Sequence, residues 1–203
     1  MFVALAALVL AAPTTFKVDK TTPNNFMAVF DAPLGERIMA TSSGLSCSFT
    51  VDDAAGTASG ACSVPLTTIN VDDIKVKTEH FQNWATNAKG KPSACKFEVK
   101  LDPFPLKLEK DKEQAFTVQA PFTICGRARQ DGGKETVEGK ALLLSNGALR
   151  IRAHIEKFDR EAYQIGPKWT DGWLARVQQL ASVVAPVGSI DVSAMAEAPA
   201  AKK

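Results

Sequence analysis

From Leu149 to Ile155 the chain alternates without a miss. Leu149, Ile151, Ala153 and Ile155 fall on one face, and Arg150, Arg152, His154 and Glu156 on the other. A period of two over this length specifies a β-strand with one wet and one dry face. The wet face excludes a parallel sheet covered by helices on both sides. The dry face demands a second layer, or a sheet curling onto itself.

The same alternation recurs along the chain, at the close spacing of an all-β protein. Strand candidates are Phe16–Lys20, Asn25–Asp31, Arg37–Ser43, Leu45–Val51, Ala61–Ile69, Cys95–Leu101, Ala115–Cys125, Glu135–Ser145, Leu149–Lys157 and Gly188–Ala194. Pro103 and Pro105 break the segment after Leu101 and predict an edge or a bend. Asn146-Gly147 is a strong hairpin signal. Asp131-Gly132-Gly133-Lys134-Glu135 reads as a hairpin turn, since its glycine spacing is wrong for a phosphate loop.

Two segments leave the alternation. Val71–Asn87 opens on Asp72 and Asp73, good helix starters, and spaces Ile74, Phe81 and Trp84 for one helical face. Thr170–Ala185 spaces Trp173, Val177, Leu180 and Val184 similarly, and Pro186 ends it. The pattern allows an antiparallel sandwich or barrel of about eight to ten strands with one or two short helices; the barrel is favoured because closure leaves no open edge.

The chain has 203 residues, 45% hydrophobic and 23% charged, with a net charge of +2. Those values suit one globular domain, placed at 13–196. Basic and acidic residues are interspersed, which argues against a nucleic-acid partner. Residues 1–12, MFVALAALVLAA, are too short to span a bilayer and match the apolar core and small-residue end of a secretory signal, although its charged start is missing. The alternative is a buried N-terminal strand or helix. No integral membrane span is expected. Residues 197–203 are rich in Ala, Pro and Lys and read as a disordered tail.

Four cysteines, Cys47, Cys62, Cys95 and Cys125, form no CxxC pair, and the chain has only two histidines, so no metal site is expected. Turn chemistry at Asp52–Gly56 places Cys47 opposite Cys62. Cys95 and Cys125 are centred on Lys110, but Cys125 is out of phase with Phe122 and Ile124, and a bulge near Pro121 would reconcile them. Two disulfides are expected, in an exported, periplasmic or secreted protein.

Several stretches together resemble the YceI-like family of exported polyisoprenoid-binding proteins. They are Thr78-Glu79-His80-Phe81, Pro92-Ser93-Ala94-Cys95-Lys96-Phe97, Pro121-Phe122-Thr123-Ile124-Cys125-Gly126, the run Phe158 to Gly166, and Val187 to Val192. The order and spacing of these motifs carry the resemblance. It implies an extended lipocalin-like barrel around an apolar, isoprenoid-like lipid.

Strand parity supplies the candidate lumen: Phe49, Val51, Val64, Phe97, Val99, Phe116, Phe122, Ile124, Leu149, Ile151 and Ile155. A barrel lined by such residues can hold a chain-like ligand. No catalytic constellation is present. His154 lies on a polar strand face between Arg152 and Glu156, His80 reads as a structural residue at a helix end, and Asp159-Arg160 as a buried ion pair. The expected function is therefore lipid binding without covalent chemistry and without a cofactor; a homodimer is left open. The alternative is an exported, disulfide-stapled module with a solid core.

Overall fold

The computed structural model describes residues 12–19, 21–86, 90–166 and 184–198. Thirteen strands and one α-helix are formed by these residues, a larger number of shorter strands than expected. A six-stranded sheet holds β1 (Thr14–Val18), β4 (Ser46–Asp52), β5 (Thr57–Pro65), β7 (Lys96–Pro105), β9 (Phe122–Ile124) and β10 (Arg127–Ala128), in the order β1-β4-β5-β7-β9-β10. A seven-stranded sheet holds β2 (Asn24–Asp31), β3 (Arg37–Ser42), β6 (Asn70–Val71), β8 (Glu113–Ala120), β11 (Glu135–Leu143), β12 (Leu149–Asp159) and β13 (Val187–Ala196), in the order β6-β3-β2-β13-β12-β11-β8. All the pairings between these strands are antiparallel.

The expected closed barrel is corrected to two sheets. Two corners link them. At one, β8 and β9 are a single run of chain interrupted at Pro121, so the chain leaves one sheet and enters the other. At the other, Lys17 and Glu197 exchange backbone hydrogen bonds of 2.8 and 2.9 Å between β1 and the end of β13. One bridging pair does not make a continuous ladder. Glu197 is thereby held, whereas a disordered tail was expected from this residue on; 199–203 lie outside the described residues.

Alternation sets what is buried. Leu149, Ile151 and Ile155 of β12 are buried, as are Phe26, Ala28 and Phe30 of β2 and Phe97 and Leu101 of β7. β7 runs on through Pro103 to Pro105, but its register with β5 shifts between Leu101 and Phe104, a local irregularity at the edge or bend that the prolines predict. Its ladder to β9 covers only Phe97–Val99, so neither proline N is called on from that side. The Asp131–Glu135 stretch is not a hairpin turn, because β10 and β11 belong to different sheets and the chain crosses between layers there.

Cys47 and Cys62 are register partners across β4 and β5, joined by a disulfide with Cα atoms 4.1 Å apart. Cys95 and Cys125 are also bonded, with Cα atoms 4.4 Å apart. The phase mismatch is resolved one turn later than expected. Ala120, Phe122 and Ile124 stay in phase through Pro121 and are all buried. Cys125 and Gly126 then occupy the two central positions of the tight turn between β9 and β10, with φ of 50° and 76°. Two positive φ values in a two-residue hairpin are the type I′ pattern. The turn takes Cys125 out of the strand alternation and swings it toward Cys95.

Helix α1 runs from Lys75 to Ala85, starting later than expected. Asp72 and Asp73 both have left-handed φ, 52° and 55°, and form the turn before it rather than its cap. The Asp72 carboxylate instead accepts the Met39 backbone N–H at 2.8 Å and binds Lys77 Nζ at 2.9 Å. Ile74 is exposed, while Phe81 and Trp84 pack against the core. Most of the second expected helix, residues 170–183, lies outside the described residues, as do residues 1–11 of the expected signal segment.

Candidate functional site

Two apolar spaces are lined by the described residues. The first is central, between the sheets, with a volume of about 70 Å³. Phe49, Val64, Phe97, Val99 and Phe122 line it from the six-stranded sheet, and Phe116, Ile151 and Ile155 from the other. The remaining expected lumen residues, Val51, Ile124 and Leu149, are buried at 3%, 0% and 1% exposure but do not face this space. They fill the packed core around it. A volume of this size holds a few water molecules, not a lipid chain.

The second space is about 470 Å³ and lies under α1. This falls in the ordinary range for small-molecule sites, roughly 300–1,000 Å³. Its existence traces to register. Ala28 of β2 is paired directly with Ala40 of β3, so two small side chains face each other where larger ones would fill the layer. Phe81 and Trp84 of α1 cover that gap, and Phe30, Ile38 and Phe158 complete the wall. Phe26, Phe97 and Ile190 border both spaces, so the pocket abuts the central cavity across these three side chains. Of the expected lumen residues only Phe97 reaches the larger pocket. Strand parity identified interior positions, but α1 and the Ala28–Ala40 pair decide where room is left.

The polar side chains on the pocket wall are Glu36, Lys77, His80 and Arg160. Lys77 donates to Glu36 at 2.8 Å and to Asp72 at 2.9 Å, tying α1 to the β2–β3 turn. These two carboxylates, Glu36 first, hold the Lys77 ammonium above its usual pKa. His80 is exposed and sits within α1 rather than at a helix end.

Arg160 is buried and is not paired with Asp159. Its Nε donates to Ala185 O at 3.1 Å, Nη1 to Ile165 O at 2.7 Å and Nη2 to Val184 O at 2.6 Å. Asp159 turns away and accepts the backbone N–H groups of Glu161 and Ala162, at 3.0 and 3.4 Å. Burial lowers the Arg160 pKa, opposed by Glu161 and Asp159. Gly166, at φ 108°, lies against this guanidinium, and a Cβ there would overlap Nη1.

A second polar cluster escaped notice in the sequence. Tyr163 is fully buried, stacks on Phe158 with ring centroids 5.2 Å apart, and donates to Glu135 Oε1 at 2.7 Å. Arg129 Nη1 donates to the same Oε1 at 2.9 Å, and Arg129 Nε to Asp131 at 2.8 Å. Arg127 binds the Tyr163 carbonyl at 3.1 Å and the Ala85 carbonyl at the end of α1. This network clamps the chain after β12 to the crossing between the sheets. His154 is held through Nδ1 by Asp191 at 2.8 Å, across the β12–β13 register.

No family model matches the sequence. No curated protein matches it either. Among solved structures it is similar to a polyisoprenoid-binding domain from Saccharophagus degradans implicated in plant cell wall breakdown, at a TM-score of 0.62 and 16% identity, over 93% of this chain and 100% of that one. At that identity the likeness is one of fold. This protein therefore has the fold of a polyisoprenoid-binding, YceI-like domain, the family that its motifs resemble.

Proposed function

We propose that this protein binds an elongated apolar lipid, isoprenoid, quinone-like or acyl, and performs no covalent chemistry on it. The observation that carries this is the 470 Å³ apolar pocket between α1 and the β2–β3 floor. A chain placed there gains roughly 0.8 kcal/mol per buried CH2. The fold of a domain described as polyisoprenoid-binding supports the same reading. So do the histidines: His154 is committed to Asp191 on the outer strand face, and His80 stands on the exposed helix. The two disulfides support a place outside the cytoplasm, periplasmic or secreted.

The small central cavity favours a second reading, a solid-core exported module, for the middle of the molecule. The pocket under α1 separates the two. Purified protein is extracted with solvent and the extract analysed by mass spectrometry, alongside native mass spectrometry of the intact protein. A co-purified lipid that is lost in Ala40→Phe, a change that fills the pocket floor and leaves it apolar, is the expected result. A parent protein that carries no lipid and binds no added fluorescent acyl probe would leave the solid-core module in its place.

A further inference from the structure

Within the lipid-binding reading, one wall residue bears on the ligand's head group. Arg160 is 6% exposed, lines the pocket, and carries a charge that the described residues neutralise poorly. Its nearest carboxylate oxygen, Glu161 Oε1, stands 3.7 Å from Nη2, beyond hydrogen-bond distance, on a side chain 38% exposed. A guanidinium offers five N–H groups. Three are directed at the carbonyls of Ala185, Ile165 and Val184, which leaves one on Nη1 and one on Nη2. A buried cation ordinarily has an anion beside it. The other cation on the wall differs, because Lys77 already binds Glu36 and Asp72.

We infer that the pocket takes amphiphiles with an anionic oxygen head group, a carboxylate or a phosphate, and that Arg160 is the residue that reads it. The apolar chain lies among Phe30, Ile38, Phe81 and Phe158, and the head accepts the two remaining N–H groups. A guanidinium fork suits such oxygens, which accept paired, charge-assisted hydrogen bonds. A neutral ester or alcohol on the same chain would leave the charge as it is.

The test uses matched pairs on the intact wild-type protein, at a pH where the acids are ionised: palmitate against methyl palmitate, and geranylgeranyl phosphate against geranylgeraniol. The acid of at least one pair should bind roughly tenfold tighter or more than its neutral partner. The pair that shows the larger gap tells carboxylate from phosphate. Equal affinities within both pairs would overturn the head-group inference while leaving the lipid pocket standing. Failure of all four to bind would count against the pocket itself. Arg160→Gln should lose the preference for palmitate over methyl palmitate. If that variant does not fold, the wild-type pairs still decide. If it folds and keeps the preference, Arg160 is not the reader.

Discussion

The hydroxyl of Tyr163 donates to the carboxylate of Glu135 at 2.7 Å, and both side chains are buried to within 3% of complete exclusion from solvent. Tyr163 is also the only tyrosine in the chain, so its titration can be read without interference. Burial, and then the bond to Glu135, raise its pKa well above the ordinary phenol range. The folded protein therefore keeps it protonated where an unfolded chain, with a pKa near 10, would lose the proton. Its contribution to stability is complete below about pH 10 and declines as pH rises above that. The phenolate absorbance should appear only together with unfolding. A phenolate step near pH 10 in a protein still folded by circular dichroism would contradict the buried placement.

Removing the same hydroxyl tests the network at neutral pH. Tyr163→Phe leaves Glu135 with Arg129 as its side-chain donor. A hydrogen bond to a charged group contributes about 1.5–3 kcal/mol. For a domain of this size the melting temperature should fall by roughly 3–12 °C. A drop below 1 °C, an order-of-magnitude floor on the same scale, would mean that water replaces the phenol freely.

Both disulfides should be quantitative, with no reactive thiol in the denatured, unreduced protein. Their loops span 15 and 30 residues. Chain entropy assigns about 3 kcal/mol to the shorter and about 0.6 kcal/mol more to the longer. Paired Cys→Ala variants compared by denaturant melting should show the Cys95/Cys125 pair losing at least as much as the Cys47/Cys62 pair. The reverse order would point to residual structure in the unfolded chain.

Two glycines are fixed by what lies over them. At Gly139 of β11 an added Cβ would run into the Phe116 ring and the Arg152 carbonyl. Gly166 combines a φ of 108° with the Arg160 guanidinium. Gly139→Ala should cost about 1–3 kcal/mol by overpacking. Gly166→Ala adds backbone strain of order 1–3 kcal/mol and should be the worse of the two in a thermal melt. If Gly166→Ala melts with the parent, the Arg160 clamp is looser than its three carbonyl bonds imply.

Much of this architecture is legible in the chain, and the limits have identifiable causes. Parity alone places Phe97, Phe122 and Ile151 inward, and all three are buried. The turn residues at Asp52–Gly56 position the first disulfide. Parity is blind to sheet membership, because Ala120 and Phe122 alternate identically whether or not the chain changes layers at Pro121. It is also blind to the type I′ turn at Cys125, where a cysteine takes a conformation more usual for Asn or Asp. The pocket escapes a strand-by-strand reading because it depends on the register that pairs two alanines of neighbouring strands, and on the helix that covers them. Glu135 looks like a surface charge until the chain brings it a phenol, and Arg160, expected to be buried against Asp159, meets three carbonyls instead.

The place of β13 carries a consequence for how the molecule comes into being. It is the last of the described strands in sequence yet lies inside its sheet, between β2 and β12. β2 therefore has no partner on its inner edge until β13, with every strand from β3 to β12 between them in sequence, is in place. Without β13, Ala28, Ala40 and the floor of the pocket rest on β2, β3 and the two-residue strand β6 alone, and ribbons of so few strands are marginal in water. The pocket floor is complete only when β13 stands between the edges of β2 and β12. Losing the stretch from Val187 to Ala196 would therefore split the sheet down its middle, not trim its rim.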